Sequence, residues 1–166
     1  TAQDLAVSEY GKYFGMNTIC FRASCITGPS AKGARLHNYL DYIIKCAVNS
    51  TQYRIEGYKG KQVRCQLSYE DLCYAVYEFI KKPRSGEVYN IGGGHQNSLS
   101  ILETINYLEQ EHKLKLQYAY ELMPRRGDHR VWYSCNNKFK MHYPNWEVKK
   151  SVYKIIDEIV EKYKNE

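Results

Sequence analysis

The chain has 166 residues, of which 43% are hydrophobic and 25% charged, and this composition fits one folded domain rather than a disordered chain. The net charge of +6 is spread along the sequence without a long basic run, so we do not expect a nucleic-acid-binding arm. The six cysteines form no CxxC pair and match no zinc spacing, and no apolar stretch is long enough to span a membrane. With no signal peptide in the sequence, we expect a soluble, reduced, cytoplasmic protein.

Helices and strands alternate along the chain, which predicts a mixed α/β fold. The first helix is expected to end at Gly15, and the strand that follows ends at a turn forced by Gly28-Pro29. The predicted helices lie at about residues 2–14, 36–48, 70–82, 100–111 and 149–163, and the predicted strands at 17–22, 53–56, 63–67, 87–91 and 116–120, with a short extended segment at 132–137.

Residues 57–71 form the first candidate site. A Gly-rich turn carrying Lys59 and Lys61 leads into a strand with Arg64, and Ser68 is placed to cap the helix that follows. Three cations beside a helix N-terminus could hold a phosphate or diphosphate. A solvated hairpin with an ordinary basic surface is the alternative, because exposed lysines are common.

A second cationic loop lies at residues 125–130, with the sequence RRGDHR. If this loop converged with Arg64, Arg125 would complete a diphosphate clamp, since guanidinium groups bind phosphate oxygens in pairs. The alternative is a surface loop tied by its own Arg–Asp pairs. The triple glycine at residues 92–94 lacks the spacing of a nucleotide-binding loop, so it is interpreted as a tight turn.

Cys25 and His37 are the remaining candidates. Cys25 follows a strand, near the edge of the sheet where open α/β folds bind ligands. No base can be named for it, so a lining or buried thiol is preferred over a nucleophile. His37 opens a helix and could either donate to a ligand or cap that helix.

Taken together, these segments resemble the C-terminal half of the CDP-paratose 2-epimerases (CDP-tyvelose epimerases). The matching segments are residues 21–29 (FRASCITGP), the Leu36-His37 pair, and residues 57–64 (GYKGKQVR), 83–94 (PRSGEVYNIGGG), 125–129 (RRGDH) and 142–146 (HYPNW). The resemblance covers nearly the whole chain. The family belongs to the extended short-chain dehydrogenase/reductases that act on nucleotide sugars.

The resemblance implies an NAD-dependent reaction in which a sugar hydroxyl is oxidised and hydride is returned to the opposite face. It implies a CDP-sugar as the partner and the C-terminal part of a Rossmann-type fold, whose N-terminal dinucleotide-binding half is missing. Residues 1–29 would be a remnant of the Rossmann-type sheet, and residues 30–166 the substrate-binding lobe. The implied contacts are Ala23, Ser24 and Cys25 with the cofactor, and Cys25, Leu36, His37, Arg64 and Arg125 with the nucleotide sugar.

The chain also departs from the family. The Gly-rich phosphate loop and the catalytic Tyr-x-x-x-Lys pair are expected upstream of Thr1, and we identify neither in this chain, so no catalytic residue is assigned. Cys65 replaces the aspartate usual after the strand arginine, and Cys135 replaces a second aspartate in the later loop. Both changes remove charge from positions that tie loops or cap helices.

Two classes of function therefore remain open. The first is the substrate-binding portion of a nucleotide-sugar epimerase, inactive alone, which could be a fragment, a remnant or one piece of a split enzyme. The second is a non-catalytic nucleotide-sugar-binding or interaction module. Because the missing strands leave a sheet edge and a helix face uncovered, a homo-oligomer or a partner N-terminal half is also expected.

Overall fold

The computed structural model describes residues 2–34 and 37–166, which form an α/β fold with strands in three small sheets. The helices are α1 (Ala2–Phe14), α2 (Tyr39–Val48), α3 (Tyr69–Lys81), α4 (Ile101–His112), α5 (Asn137–His142) and α6 (Val152–Asn165). The strands are β1 (Ile19–Ala23), β2 (Cys25–Thr27), β3 (Tyr53–Glu56), β4 (Val63–Ser68), β5 (Glu87–Ile91), β6 (Ser98–Ser100), β7 (Tyr118–Glu121) and β8 (Val131–Trp132). Short 3₁₀ turns lie at Tyr58–Gly60 and His95–Asn97.

Strand β4 is at the centre of the largest sheet. It pairs in parallel with β2 and β8 and antiparallel with β6. The other two sheets are the parallel pairs β1–β5 and β3–β7. Arg64 is the second residue of β4, and this pairing places it opposite one residue of β6 and one residue of β8.

Two hydrophobic cores support these sheets. One core lies among α2, α4 and α6, where Ile155, Ile156 and Ile159 are fully buried. The second packs α3 and α5 against β5, with Trp146 and Phe139 at its centre. The indole N–H of Trp146 donates to the carbonyl of Asp71 at 2.9 Å, which ties the segment before α6 to the start of α3.

Most of the elements expected from the sequence are confirmed, and the helix caps are among them. Ser68 Oγ accepts a hydrogen bond from the Asp71 N–H at 3.0 Å, and Ser100 and Glu103 form a capping box. The boundaries differ by up to three residues in most elements, and the expected extended segment at 132–137 is wrong beyond Trp132. Helix α5 was not predicted, since its six residues show no side-chain cap and span less than two turns.

The helical spacing of apolar residues predicts one buried face on each of α1 and α3, and both predictions are wrong in part: the expected residues are Ala2, Leu5, Ala6, Tyr10 and Tyr13 on α1, and Leu72, Ala75, Val76, Phe79 and Ile80 on α3. On α1 the apolar residues Leu5, Tyr10 and Tyr13 are exposed, and the buried positions are Ser8 and Gly11. Gly11 lies so close to Gly86 that a Cβ there would overlap the Gly86 backbone, so α1 packs through its small side chains. On α3, Ala75 and Phe79 are buried as expected, but the expected inner positions Val76 and Ile80 are 39% and 65% exposed.

Asn97 connects the central sheet to the last helix. Its side-chain amide donates to the carbonyls of Gln66 and Lys150 at 3.2 and 2.9 Å, and its Oδ1 accepts from the Val152 N–H at 2.7 Å. The side chain is buried, so water does not replace these bonds easily. Asn97 therefore fixes the start of α6 relative to β4.

We expect Asn97→Ala to lower the free energy of unfolding by about 2–4 kcal/mol, because it leaves a buried N–H and two buried carbonyls without partners. Denaturant unfolding measures this loss. Gln96→Ala, at the exposed neighbouring position, is the matched control and should change stability by less than about 0.5 kcal/mol. Equal stability of the two variants would contradict the role of Asn97.

Candidate functional site

The candidate site opens where the chain passes from one parallel sheet to another. Strand β1 ends at Ala23 beside β5, and β2 begins at Cys25 beside β4, so Ser24 alone separates the two. The Ser24 N–H donates to the Ile91 carbonyl at 2.9 Å, and its hydroxyl lies 3.1 Å from Cys65 Sγ. Ser24 thus connects the carboxyl end of β1, the edge of a parallel sheet at which α/β folds form ligand crevices, to the amino end of β2.

Strand pairing also brings the two cationic loops together. The β3–β7 pair continues into a hydrogen bond from the Gly57 N–H to the Glu121 carbonyl at 2.9 Å. The β4–β8 pair begins with a bond from the Val63 N–H to the Arg130 carbonyl at 2.8 Å. The turn at 57–62 and the loop at 122–130 are therefore held side by side at both ends.

Glycine is required where these two segments touch. Gly57 has a φ of +68°, and a Cβ at this position would lie 2.5 Å from the Cα of Pro124. A larger residue would therefore be strained and would push the later loop away. The Tyr58 hydroxyl also donates to the Asp128 carbonyl at 3.3 Å, so contacts along the whole turn hold the loop in place.

Arg64 and Arg125 converge on one carboxylate. Arg64 Nη2 lies 2.6 Å from Asp128 Oδ1, and the side chains are 13% and 7% exposed, so the ion pair is largely buried. Arg125 Nη2 lies 3.6 Å from the same oxygen, and its Nε lies 3.8 Å from Glu56 Oε2. The Arg125 side chain is 45% exposed, so these longer contacts contribute less than the Arg64 pair. The structure brings together the two arginines of the expected clamp, and it also contains the Arg–Asp pair within the loop.

Two adjacent cavities share Arg64. The larger has a volume of about 520 Å³, and the smaller, beside Arg125, about 50 Å³. The larger is lined by Ala23, Ser24, Cys25, Ile26, His37, Asn38, Arg64, His129 and Trp132. The smaller is lined by Tyr39, Tyr53, Arg54, Glu56, Gln62, Arg64, Ile101, Arg125 and Asp128. Of the expected site residues, Leu36 lies outside the described residues, and all the others line one cavity or the other.

The environment of Cys25 suits a neutral lining thiol. Burial raises the pKa of Cys25, with a smaller contribution from Cys65 nearby, while Arg64 partly offsets both. A raised pKa keeps the sulfur protonated near neutral pH and disfavours a thiolate nucleophile. Cys65 is fully buried, and its sulfur accepts from the Ser134 N–H at 3.3 Å. A sulfur thus occupies a hydrogen-bonded position between β4 and the later loop.

The remaining sequence candidates have other positions. His37 bonds through its backbone to Ala34, in both directions, rather than capping α2, and its ring lines the larger cavity. Lys59 belongs to the 3₁₀ turn, and neither it nor Lys61 lines the two cavities. The triple glycine at residues 92–94 is required for two different reasons. Gly94 has a positive φ, whereas a Cβ at Gly92 or Gly93 would overlap neighbouring atoms.

Several residues that line the cavities could not be identified from the sequence. Asn38 and Trp132 line the larger cavity, but no pattern distinguished either from an ordinary loop residue. Gln62, in the smaller cavity, directly precedes the strand that carries Arg64, and its side-chain amide donates to the Glu56 carbonyl at 3.1 Å. The parallel pairings that place these residues depend on contacts far apart in sequence.

The spacing Tyr-x-x-x-Lys occurs once in the chain, at Tyr77 and Lys81, which is not the place upstream of Thr1 where the catalytic pair of the family is expected. Both residues lie on α3 and line neither of the two cavities. Lys81 Nζ is 3.3 Å from Glu78 and 5.3 Å from the Tyr77 ring centroid, and the Glu78 contact raises the pKa of Lys81. This pair is a surface feature of α3.

In residues 2–34 and 37–166, no group of three or more His, Cys, Asp or Glu side chains has a geometry that could hold a metal ion. Within the same residues, no helix combines the length and apolar character needed to cross a membrane.

The sequence and the fold match a known class of proteins. A model of the NAD dependent epimerase/dehydratase family matches residues 1–92, more than half of the chain, and the chain therefore belongs to this family. It is 32% identical to CDP-paratose 2-epimerase of Salmonella typhi over 139 residues, which cover 79% of this chain and 40% of the relative. It is 30% identical to dTDP-glucose 4,6-dehydratase of Escherichia coli over 105 residues, 63% of this chain and 28% of the relative. The chain thus matches less than half the length of each of these curated relatives.

Solved structures give the same fold. UDP-glucose 4-epimerase from Thermotoga maritima with UDP-glucose is 19% identical, with a TM-score of 0.85 over 99% of this chain and 51% of that one. UDP-glucuronic acid 4-epimerase from Bacillus cereus, in complex with UDP-glucuronic acid and NAD, is 22% identical, with a TM-score of 0.78 over 94% and 48%. dTDP-glucose 4,6-dehydratase from Bacillus anthracis in complex with NAD is 26% identical, with a TM-score of 0.75 over 98% and 49%.

The buried ion pair generates a stability prediction. Asp128→Ala should lower the free energy of unfolding by about 3 kcal/mol, because it leaves the Arg64 guanidinium buried without its close partner. Arg125→Ala should cost less than about 1 kcal/mol, since its contacts are longer and half-exposed. Denaturant unfolding of both variants checks this order, and a larger loss for Arg125→Ala would contradict it.

Proposed function

We propose that this chain is the substrate-binding portion of an NAD-dependent nucleotide-sugar epimerase of the CDP-sugar 2-epimerase type, with Arg64 and Arg125 contacting the diphosphate. The observation that carries the proposal is the convergence of these two arginines, 61 positions apart, at the junction of two cavities. The similarity to CDP-paratose 2-epimerase of Salmonella typhi supports the CDP-sugar assignment.

The charges at this junction suit an anion. Asp128 and Glu56 lie near the two guanidinium groups, and the contacts of Arg125 with these carboxylates are 3.6 and 3.8 Å long. A diphosphate beside Arg125 could form shorter, charge-assisted bonds than those carboxylates do. Arg64, fixed by Asp128 and by its own bond to the Val63 carbonyl at 2.8 Å, would present a rigid donor to the same ligand.

Different parts of the larger cavity would contact different parts of the proposed substrate. Arg64 lies at the boundary with the smaller cavity, so a diphosphate there would direct its sugar toward Cys25 and His37. Cys25 would contribute a neutral surface, since its raised pKa keeps the thiol protonated. His37 would offer a polar ring to the sugar hydroxyls. In this proposal Leu36 and His37 line the nucleotide-sugar cleft.

The described residues fit one end of NAD. Ala23, Ser24 and Cys25 are small and neutral, and they line a crevice large enough for a planar ring. In the proposal this segment lies against the nicotinamide, and NAD supplies the hydride acceptor and donor when bound. The chain's own residues shape and line that crevice. The domain division at residue 29 belongs to the same proposal.

A non-catalytic binding module is the second candidate. It is favoured by the position of Tyr77 and Lys81, which have the spacing of the family's acid/base pair but do not line either cavity. Both candidates predict binding of a nucleotide sugar, and only the first requires chemistry. We expect no epimerase turnover by the 166-residue chain alone, and detectable turnover of a CDP-sugar would contradict this expectation.

Calorimetry with CDP and CDP-glucose tests the diphosphate contact. We expect Arg125→Ala to weaken binding by about tenfold or more, because a charge-assisted hydrogen bond contributes roughly 1.5–3 kcal/mol. Arg64→Lys should also weaken binding, since a lysine keeps the charge but loses the planar pair of donors. UDP-glucose should bind more weakly than CDP-glucose if the base assignment is right.

Arg126→Ala is the matched control for Arg125→Ala. It removes the same charge from the same loop, but Arg126 is exposed and does not line the two cavities. We expect its affinity to stay within about twofold of wild type, as for an exposed charge screened by solvent. Equal affinities for Arg125→Ala and Arg126→Ala would overturn the clamp.

A further inference from the structure

The loop that supplies one wall of the larger cavity is held by a buried carboxylate on α2. Asp41 is completely buried, and its Oδ2 accepts from the Gly33 N–H at 2.5 Å and from the Tyr163 hydroxyl at 2.6 Å. Its Oδ1 lies 3.3 Å from Lys162 Nζ. One carboxylate therefore joins the loop to the last turn of α6.

Lys162 makes a second contact with the same loop. Its ammonium group donates to the Ala31 carbonyl at 2.7 Å, while its side chain remains only 17% exposed. The position of Gly33 leaves no room for a side chain, because a Cβ there would overlap the backbone nitrogen of Tyr42. The segment around Ala31 and Gly33 thus packs tightly against both α2 and α6.

The held segment leads directly to the cavity wall. Ala34 and His37 exchange backbone hydrogen bonds at 2.8 and 2.9 Å, which closes the loop one residue after Gly33. Asn38 Oδ1 accepts from the Thr27 hydroxyl at 3.2 Å, next to strand β2. The side chains of His37 and Asn38 both line the larger cavity.

We propose that Asp41 is a positioning residue, which with Lys162 and Tyr163 holds the loop around Ala31 and Gly33 and so sets the His37–Asn38 wall of the ligand cavity. The inference rests on the proposed function for its effect on nucleotide-sugar binding. A carboxylate without solvent needs several donors, and here the three donors come from the loop and from the C-terminal helix. Substitutions that remove the two donors on α6, Lys162 and Tyr163, should release the loop, and neither residue lines the cavity.

Tyr163 is suited to this role because it stays protonated. Burial raises the pKa of Tyr163, and the neighbouring Asp41 carboxylate raises it further. The hydroxyl therefore remains a donor to Asp41 throughout the pH range in which the protein is studied. Charged groups near this cluster include Lys162, Lys45, whose ammonium group lies 5.9 Å from the Tyr163 ring centroid, and Glu166, whose negative charge also raises the pKa of Tyr163.

Limited trypsin digestion tests the loop anchor without any ligand. Trypsin can cut the exposed Lys32–Gly33 bond, and the N–H of that bond is the group that Asp41 accepts from. Cleavage requires the segment to leave the structure, so its rate reports how often the loop opens. We expect the double variant Lys162→Met/Tyr163→Phe to be cut at Lys32 roughly tenfold faster than wild type.

Matched controls come from the same helix. Lys164→Met removes an exposed charge and Tyr153→Phe an exposed hydroxyl, and the double control variant should be cut at Lys32 at the wild-type rate. Cleavage at the exposed Lys113, after α4, should stay unchanged in all variants, which separates loop release from general unfolding. Lys162→Arg keeps a positively charged donor at this position, so cleavage at Lys32 should stay close to the wild-type rate. Equal Lys32 rates in the two double variants would overturn the anchor.

The effect on the cavity is measured with CDP-glucose. Saturating ligand should slow cleavage at Lys32 in wild type, and the anchor double variant should bind at least about threefold more weakly, because binding requires the closed loop. The positioning role would be overturned if the anchor double variant bound CDP-glucose with wild-type affinity and the ligand did not slow cleavage at Lys32 in wild type. If wild type itself binds no nucleotide sugar, the proposed function fails, and the cleavage rates alone decide whether Asp41 anchors the loop.

Discussion

The buried ion pair between Arg64 and Asp128 determines the geometry of the candidate site. A guanidinium on a central strand needs a counter-charge, and Asp128 provides it from a loop more than sixty residues later. That requirement fixes the later loop against β4, and the fixed loop carries Arg125 to the same place. Arg64 lines both cavities, and Asp128 lines the smaller one beside Arg125.

Strand pairing makes the ion pair possible. The β3–β7 and β4–β8 pairs bracket the loop at 122–130, so its ends are fixed before any side chain is considered. Each parallel pair joins residues that are far apart in sequence, which makes the site sensitive to the whole fold. The close contact between Gly57 and Pro124 then removes the remaining freedom of the two segments.

The sequence predicted the elements better than the site. On α6, Val152, Ile155, Ile156, Ile159 and Val160 follow one helical period, which predicts a buried face, and all five are buried, as is Tyr163. The face of α1 was not predicted correctly, since its small residues Ser8 and Gly11 pack against the turn at Gly86. Periodicity identifies the apolar stripe of a helix, but it does not show whether that stripe or a stripe of small residues faces the protein.

The same limit applies to the cationic loops. Residue types indicated that Arg64 and Arg125 could bind phosphate, but no local pattern showed that Asp128 joins them or that the β4–β8 pairing aligns them. The resemblance to known epimerases implied that Arg64 and Arg125 contact the same diphosphate, and the structure places both beside Asp128. Local spacing alone leaves the clamp and the surface loop as alternatives.

Both hydrophobic cores contribute to the larger cavity. Ala23 and Ser24 come from the sheet that packs with α3 and α5, whereas His37 and Asn38 precede α2, which belongs to the core with α6. Strand β4 contacts both groups, and Ser24 and Asn97 each bond to it from a different side. A ligand in this cavity would therefore contact two packed units at once, and its affinity would depend on how firmly β4 and the end of α6 hold them in register.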